Sequence, residues 1–124
     1  MVLVIDDDPG MREVAQEMLR SFGWDVVTAE DGKRGIKALK KHREKITVVL
    51  TDILMPEADG LDVISYMRRK SSSIPVIAMS GGSPNLSSGF NLKIAKEMGA
   101  WATIQKPFLS AELYSILRAF MVKR

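Results

Sequence analysis

Five short, largely apolar runs recur along this 124-residue chain, at 2–5, 26–29, 46–51, 75–79 and 101–105, and a segment of helical period follows each. Runs such as Val2-Leu3-Val4-Ile5 are apolar at every position, so both faces of such a strand need cover. Five alternations of strand and helix, with strands buried on both sides, predict an α/β fold: a doubly wound parallel sheet with helices on both faces. The length fits one domain over 1–124 and leaves no room for a second.

The helical segments carry their own start and stop signals. Met11, Val14, Ala15, Met18, Leu19 and Phe22 follow the i, i+3, i+4, i+7 pattern, with Asp8 placed to cap, Pro9 at the first helical position and Gly23 just past the end. Ile36 and Leu39 mark a second, weaker helix, and Leu61, Ile64 and Met67 a third. Leu92, Ala95 and Met98 mark a fourth that Gly99 stops, and Leu109, Leu113, Ile116, Leu117 and Phe120 a fifth with Ser110 as its N-cap. The stretch 81–89 has the turn chemistry of a loop longer than the usual two to six residues.

Composition removes several function classes. There is no Cys, so disulfides, thiolate metal sites and thiol catalysis are excluded. The longest apolar stretch, 1–5, is far too short to span a bilayer, and an acidic triplet follows where a secretory signal would stay apolar, which predicts a cytoplasmic chain with no membrane contact. Neither Gly-x-Gly-x-x-Gly after a strand nor Gly-x₄-Gly-Lys is present, so dinucleotide and nucleoside-triphosphate sites lack their phosphate loops. The net charge of +3 conceals one segment: 33–45 holds seven basic residues against Glu44 alone, and the rest of the chain is net acidic. No aromatic interleaves those lysines, so the segment reads as a solvated helix face rather than a nucleic-acid patch. His42, the only histidine, sits among these lysines as a surface residue.

In a doubly wound sheet, ligands bind beyond the carboxyl ends of the strands. The first run here ends in Asp6, Asp7 and Asp8, the third in Asp52, the fourth in Ser80 and the fifth in Lys106. Carboxylates crowded there require protons or a hard cation, for which Mg²⁺ is the natural occupant. Together with a hydroxyl and an ammonium they form a set suited to a phosphoryl group, with one carboxylate able to act as nucleophile. Taken singly, an Asp at a strand end is a helix cap or turn former, and Lys-Pro is a turn.

Over essentially its whole length the chain resembles the receiver domain of two-component response regulators. The motifs are 2–8 with its three aspartates, Thr51-Asp52-Ile53-Leu54-Met55-Pro56 followed by Asp59-Gly60, Ala78-Met79-Ser80-Gly81, Gly99-Ala100 and Lys106-Pro107-Phe108. The resemblance implies a flavodoxin-like strand order 2-1-3-4-5 and phosphorylation by a histidine kinase or histidine phosphotransfer protein. It implies Asp52 as phosphoacceptor and Asp6, Asp7, Asp52 and the backbone carbonyl of Leu54 as the Mg²⁺ shell. It also implies that Lys106 pairs with the phosphoryl group, that Ser80 reports its presence, that Gly81 keeps the approach open and that the bond before Pro107 is cis. A downstream protein would be met through the fourth helix, fifth strand and fifth helix.

The chain departs from the family at Thr103, where a Tyr or Phe usually serves as the switch residue; Trp101, two positions away, is the nearest aromatic. Segment 80–106 is also a few residues longer than the family pattern. The expectation is a stand-alone phosphorylation switch, unless the chain is a piece of a longer one, with no enzymatic activity beyond self-phosphorylation and self-dephosphorylation. Two alternatives stay open. Asp6-x-Asp8 is similar to the nucleophile motif of haloacid dehalogenase-type Mg²⁺ phosphatases, and a receiver fold can serve as a phosphorylation-independent interaction module.

Overall fold

A computed structural model describes residues 1–53, 60–70, 72–81 and 88–121, with backbone alone at 88–92 and 121. Five strands, β1 (Val2–Ile5), β2 (Val26–Ala29), β3 (Val48–Asp52), β4 (Val76–Ser80) and β5 (Ala102–Gln105), alternate with α1 (Pro9–Ser21), α2 (Gly32–Lys41), α3 (Gly60–Arg69), α4 (Ser88–Met98) and α5 (Ser110–Met121). The sheet order is β2-β1-β3-β4-β5 and every pairing is parallel. This is the doubly wound, flavodoxin-like arrangement expected.

Strand alternation divides the core between two faces. Leu3, Ile5, Val49 and Ala78 point toward α2, α3 and α4, where Leu39, Val63, Ile64, Met67 and Ala95 cover them. Val2, Val4, Leu50, Ile77 and Met79 point the other way, against Ala15 and Leu19 of α1 and Leu113 and Leu117 of α5. All four residues of β1 are fully buried, as a central strand between two helical layers requires.

Local signals place the helices. The Asp8 carboxylate accepts from the Gly10 N–H at 2.9 Å with Pro9 at the first position, so α1 starts where the sequence predicts. Gly23 follows it at φ +93°, a conformation that costs glycine little. The end of α1 is stapled to α5 by rings: Trp24 stacks on Tyr114 at 6.1 Å, and Phe22 meets both edge-on.

Several boundaries differ from the sequence reading. Val14 is 43% exposed, because Ala15 and Leu19 occupy the centre of the apolar stripe and Val14 its rim. Ile46 is buried but precedes β3, since its N–H is bonded to the His42 carbonyl in the turn after α2. Ser110 is the first helical residue of α5 rather than its cap: the Leu109 N–H is bonded to the Glu112 carboxylate at 2.8 Å, the acidic half of a capping box. Ser88 and Gly89 are already helical, while 82–87 of the expected loop lies outside the described residues, as do Leu54 and the side chain of Leu92.

Candidate functional site

Because all five strands run in one direction, their carboxyl ends share one edge. The Ile53 N–H donates to the Met79 carbonyl and the Lys106 N–H to the Ser80 carbonyl at 2.9 Å, which ties the ends of β3, β4 and β5 together. The Asp6 N–H reaches the Ala29 carbonyl of β2, so Asp6 continues the β1 ladder by one residue.

Three carboxylates meet at this edge. Asp6, Asp7 and Asp52 each offer an oxygen, and those atoms all lie within 4.8 Å of one another. Asp6 and Asp52 are buried and Asp7 is exposed, so the cluster opens to solvent on one side. The Lys106 ammonium lies 3.0 Å from Asp6 Oδ2 and 3.4 Å from Asp52 Oδ2, bridging the two buried acids. Burial works against the ammonium, yet the hydrogen bond to Asp6 and the charge of Asp52 outweigh it, and the lysine pKa rises above its ordinary value.

The Asp6 carboxylate is held at both oxygens, one by Lys106 and the other by the Asp8 N–H at 3.0 Å. Arg12, one turn into α1, donates to the Asp6 backbone carbonyl at 2.7 Å. Sequence reasoning missed Arg12; the available signal was a basic residue in the first turn after an acidic strand end.

Ser80 is buried at the end of β4, one residue beyond Met79, the partner of Asp52 across the ladder. A Cβ added at Gly81 would lie 3.7 Å from Lys106 Cε, so a larger side chain there would cover the lysine. The Lys106–Pro107 peptide bond is cis. Gly60 is a second residue whose reason the sequence did not reveal: a Cβ there would collide with the Asp52 carbonyl oxygen and sit 2.6 Å from Ile53 Cα. The start of α3 thus lies directly against the backbone of the residue that ends β3.

Thr103 is half-buried on β5 opposite Ala78, two residues short of the Ser80–Gln105 pair. Trp101 precedes β5 and bonds through its N–H to the Val76 carbonyl, about 13 Å along the strand from Ser80 at roughly 3.3 Å per residue. It is 46% exposed and packs edge-on against Phe120, so it does not stand in for an aromatic near the site.

Three carboxylates cluster here around the Lys106 ammonium, and all the donors they offer are hard oxygens. That set fits a divalent cation of the Mg²⁺ or Ca²⁺ type. With such an ion it can bind an oxyanion, and a carboxylate inside it can act as nucleophile. No helix among the described residues is long and apolar enough to cross a membrane.

Comparison with known proteins agrees with this geometry. A model of the response regulator receiver domain family matches residues 2–118. The transcriptional regulatory protein GlrR of Escherichia coli is 31% identical over 94% of the chain, which covers 25% of that protein. The alkaline phosphatase synthesis transcriptional regulatory protein PhoP of Bacillus subtilis is 28% identical over 97% of the chain, which covers 48% of it. The chain therefore spans a quarter to about half the length of these curated relatives. Among solved structures, a chain of the CheX–CheY–BeF₃–Mg²⁺ complex from Borrelia burgdorferi superposes with a TM-score of 0.86 at 27% identity, covering 98% of this chain and 89% of that one.

Proposed function

This chain belongs to the response regulator receiver domain family, and we propose on that premise that it is a phosphorylation switch whose phosphoacceptor is Asp52. A carboxylate oxygen of Asp52 would form the bond to phosphorus as the donor's P–N bond, in a histidine kinase or phosphotransfer protein, breaks. The freed imidazole keeps its electron pair and takes up a proton. Asp7 and Asp52, with the backbone carbonyl of Leu54, are the proposed direct Mg²⁺ ligands, and Asp6 would hold the ion's waters. Bound Mg²⁺ would neutralise charge on the transferring group. Leu54 lies outside the described residues.

The observation that carries the reading is the Lys106 ammonium seated between Asp6 and Asp52 in an otherwise acidic cluster. In that position it can follow charge from the Asp52 carboxylate to a phosphoryl group attached to it. Ser80 is the proposed hydroxyl donor to the phosphoryl oxygens, and Gly81 keeps the approach to Lys106 open. Thr103 would report the change without an aromatic ring.

The domain reading is one receiver over 1–124, working in the cytoplasm and signalling to a downstream protein through α4, β5 and α5. Its catalysis would be confined to its own phosphorylation and dephosphorylation. The phosphatase alternative requires Asp6 as nucleophile, yet Asp6 is fully buried with both oxygens engaged, which suits a fixed group better than an attacking one.

Intact mass after incubation with acetyl phosphate and Mg²⁺ tests the proposal, with Asp52→Asn and Asp6→Asn beside the wild type. A Mg²⁺-dependent phosphoryl adduct that Asp52→Asn abolishes supports it. Absence of an adduct on the wild type would favour the phosphorylation-independent module, and loss with Asp6→Asn alone the phosphatase.

A further inference from the structure

The basic segment 33–45 has no part in the phosphorylation site, and the fold gives it a specific geometry. Its last turn faces the C-terminal end of α3 across a groove of about 660 Å³. Leu39 and Met67, both buried, and Ile74 supply an apolar floor, while Lys40, Arg43 and Lys70 stand exposed around it with Glu44 as the one acidic lining residue. Two ammoniums converge on one ring: Lys40 Nζ lies 5.9 Å and Lys70 Nζ 5.8 Å from the centroid of Tyr66.

The linear charge run did not foretell this. Tyr66 comes from α3 and Lys70 directly follows its last residue, both outside the run, and Lys41 and Lys45 inside it do not line the groove. Basic residues at helix C-termini are favourable for the macrodipole, which accounts for single lysines at these ends. It does not account for two helices bringing their cations onto one tyrosine above an apolar floor. The groove also lies at the amino-terminal end of the sheet, where α2 and α3 finish and the chain enters β4, remote from Asp52 at the other end. A ligand there would leave the acidic site accessible.

We propose that the α2–α3 groove docks an acidic peptide segment of a partner protein. One apolar side chain would seat on Leu39, Met67 and Ile74, with flanking carboxylates meeting Lys40, Arg43 and Lys70. Charge complementarity fixes the sign of the partner, and the apolar floor between the cations favours a peptide over a uniformly charged polyanion.

The test is fluorescence anisotropy at low salt with a labelled peptide of glutamates flanking a central Leu-Phe pair. The same peptide with lysines in place of glutamates, oligothymidylate and phosphatidylserine vesicles serve as competing probes. The wild type should bind the glutamate peptide saturably and the lysine peptide not at all. Lys40→Glu with Lys70→Glu should weaken binding at least about tenfold, and Lys41→Glu with Lys45→Glu, an equal change in net charge outside the groove, less than about threefold. Phosphorylation from acetyl phosphate should be unchanged in both variants, which separates this inference from the proposal for Asp52. No saturable binding by the wild type, equal losses in the two variants, or tighter binding of oligothymidylate or vesicles would overturn it.

Discussion

Removing the ammonium that bridges the acidic cluster perturbs the site most directly. In Lys106→Met the apolar stem is kept, while Asp6 and Asp52 lose a cation at 3.0 and 3.4 Å. At an effective dielectric of about 20, each of these contacts contributes roughly 5 kcal/mol of attraction. The lysine side chain is only 16% exposed, so its desolvation offsets a large part of that gain. What remains is the penalty of leaving buried carboxylates facing one another, and a net loss of about 3 kcal/mol follows, in the range for breaking a buried ion pair. For a domain of this size that is a fall of about 10–15 °C in Tm. Thermal unfolding in EDTA should show it. Titrated Mg²⁺ should then raise the Tm of the variant more than that of the wild type, because the ion replaces the missing charge. A variant within about 2 °C of the wild type in EDTA, or equal Mg²⁺ stabilisation of the two proteins, would refute the reasoning.

Three further outcomes are expected. The Lys106 pKa is raised on folding, so its contribution is complete below the ordinary value of 10.5 and is lost as pH rises through the higher folded value; the stability gap between wild type and Lys106→Met should stay constant to about pH 10 and shrink above it. Asp31 caps α2 by accepting from the Arg34 N–H at 2.7 Å; this bond, opposed by burial and aided by the guanidinium, lowers its pKa, so Asp31→Ala should cost about 1 kcal/mol at neutral pH, and urea titrations should show that difference fading as pH falls through the lowered value. Gly60→Ala places a methyl against the Asp52 carbonyl, and about 1–3 kcal/mol of lost stability should appear in urea unfolding together with slower phosphorylation from acetyl phosphate.

The sequence carried the sheet because its strands are apolar on both faces, a pattern that few other architectures accept. Strand order came from the family resemblance and not from periodicity, which is blind to neighbours. The acidic and basic strand ends were legible as well, since each adjoins an unmistakable run, and the structure brings Asp6, Asp7, Asp52 and Lys106 together.

What escaped depends on three-dimensional approach. Nothing in the spacing of Gly60 reveals that α3 begins against the β3 backbone, nor in Arg12 that its guanidinium reaches back to the Asp6 carbonyl. Val14 fits the helical period and still faces solvent, because periodicity marks a stripe without locating its centre. Tyr66 and Lys70 lie 26 and 30 residues from Lys40, the lysine of the basic segment that they join. Charge density along the chain could flag the segment 33–45 without identifying which of its cations share a groove.

The central claim is that Asp52, and not a neighbouring carboxylate, receives the phosphoryl group. Borohydride reduces an acyl phosphate on aspartate to homoserine, so trapping after acetyl phosphate treatment, followed by proteolysis and peptide sequencing, locates the modified residue. Homoserine at position 52 is the predicted result. Homoserine at position 6, 7 or 8 in place of 52, or no homoserine at all, would contradict the account.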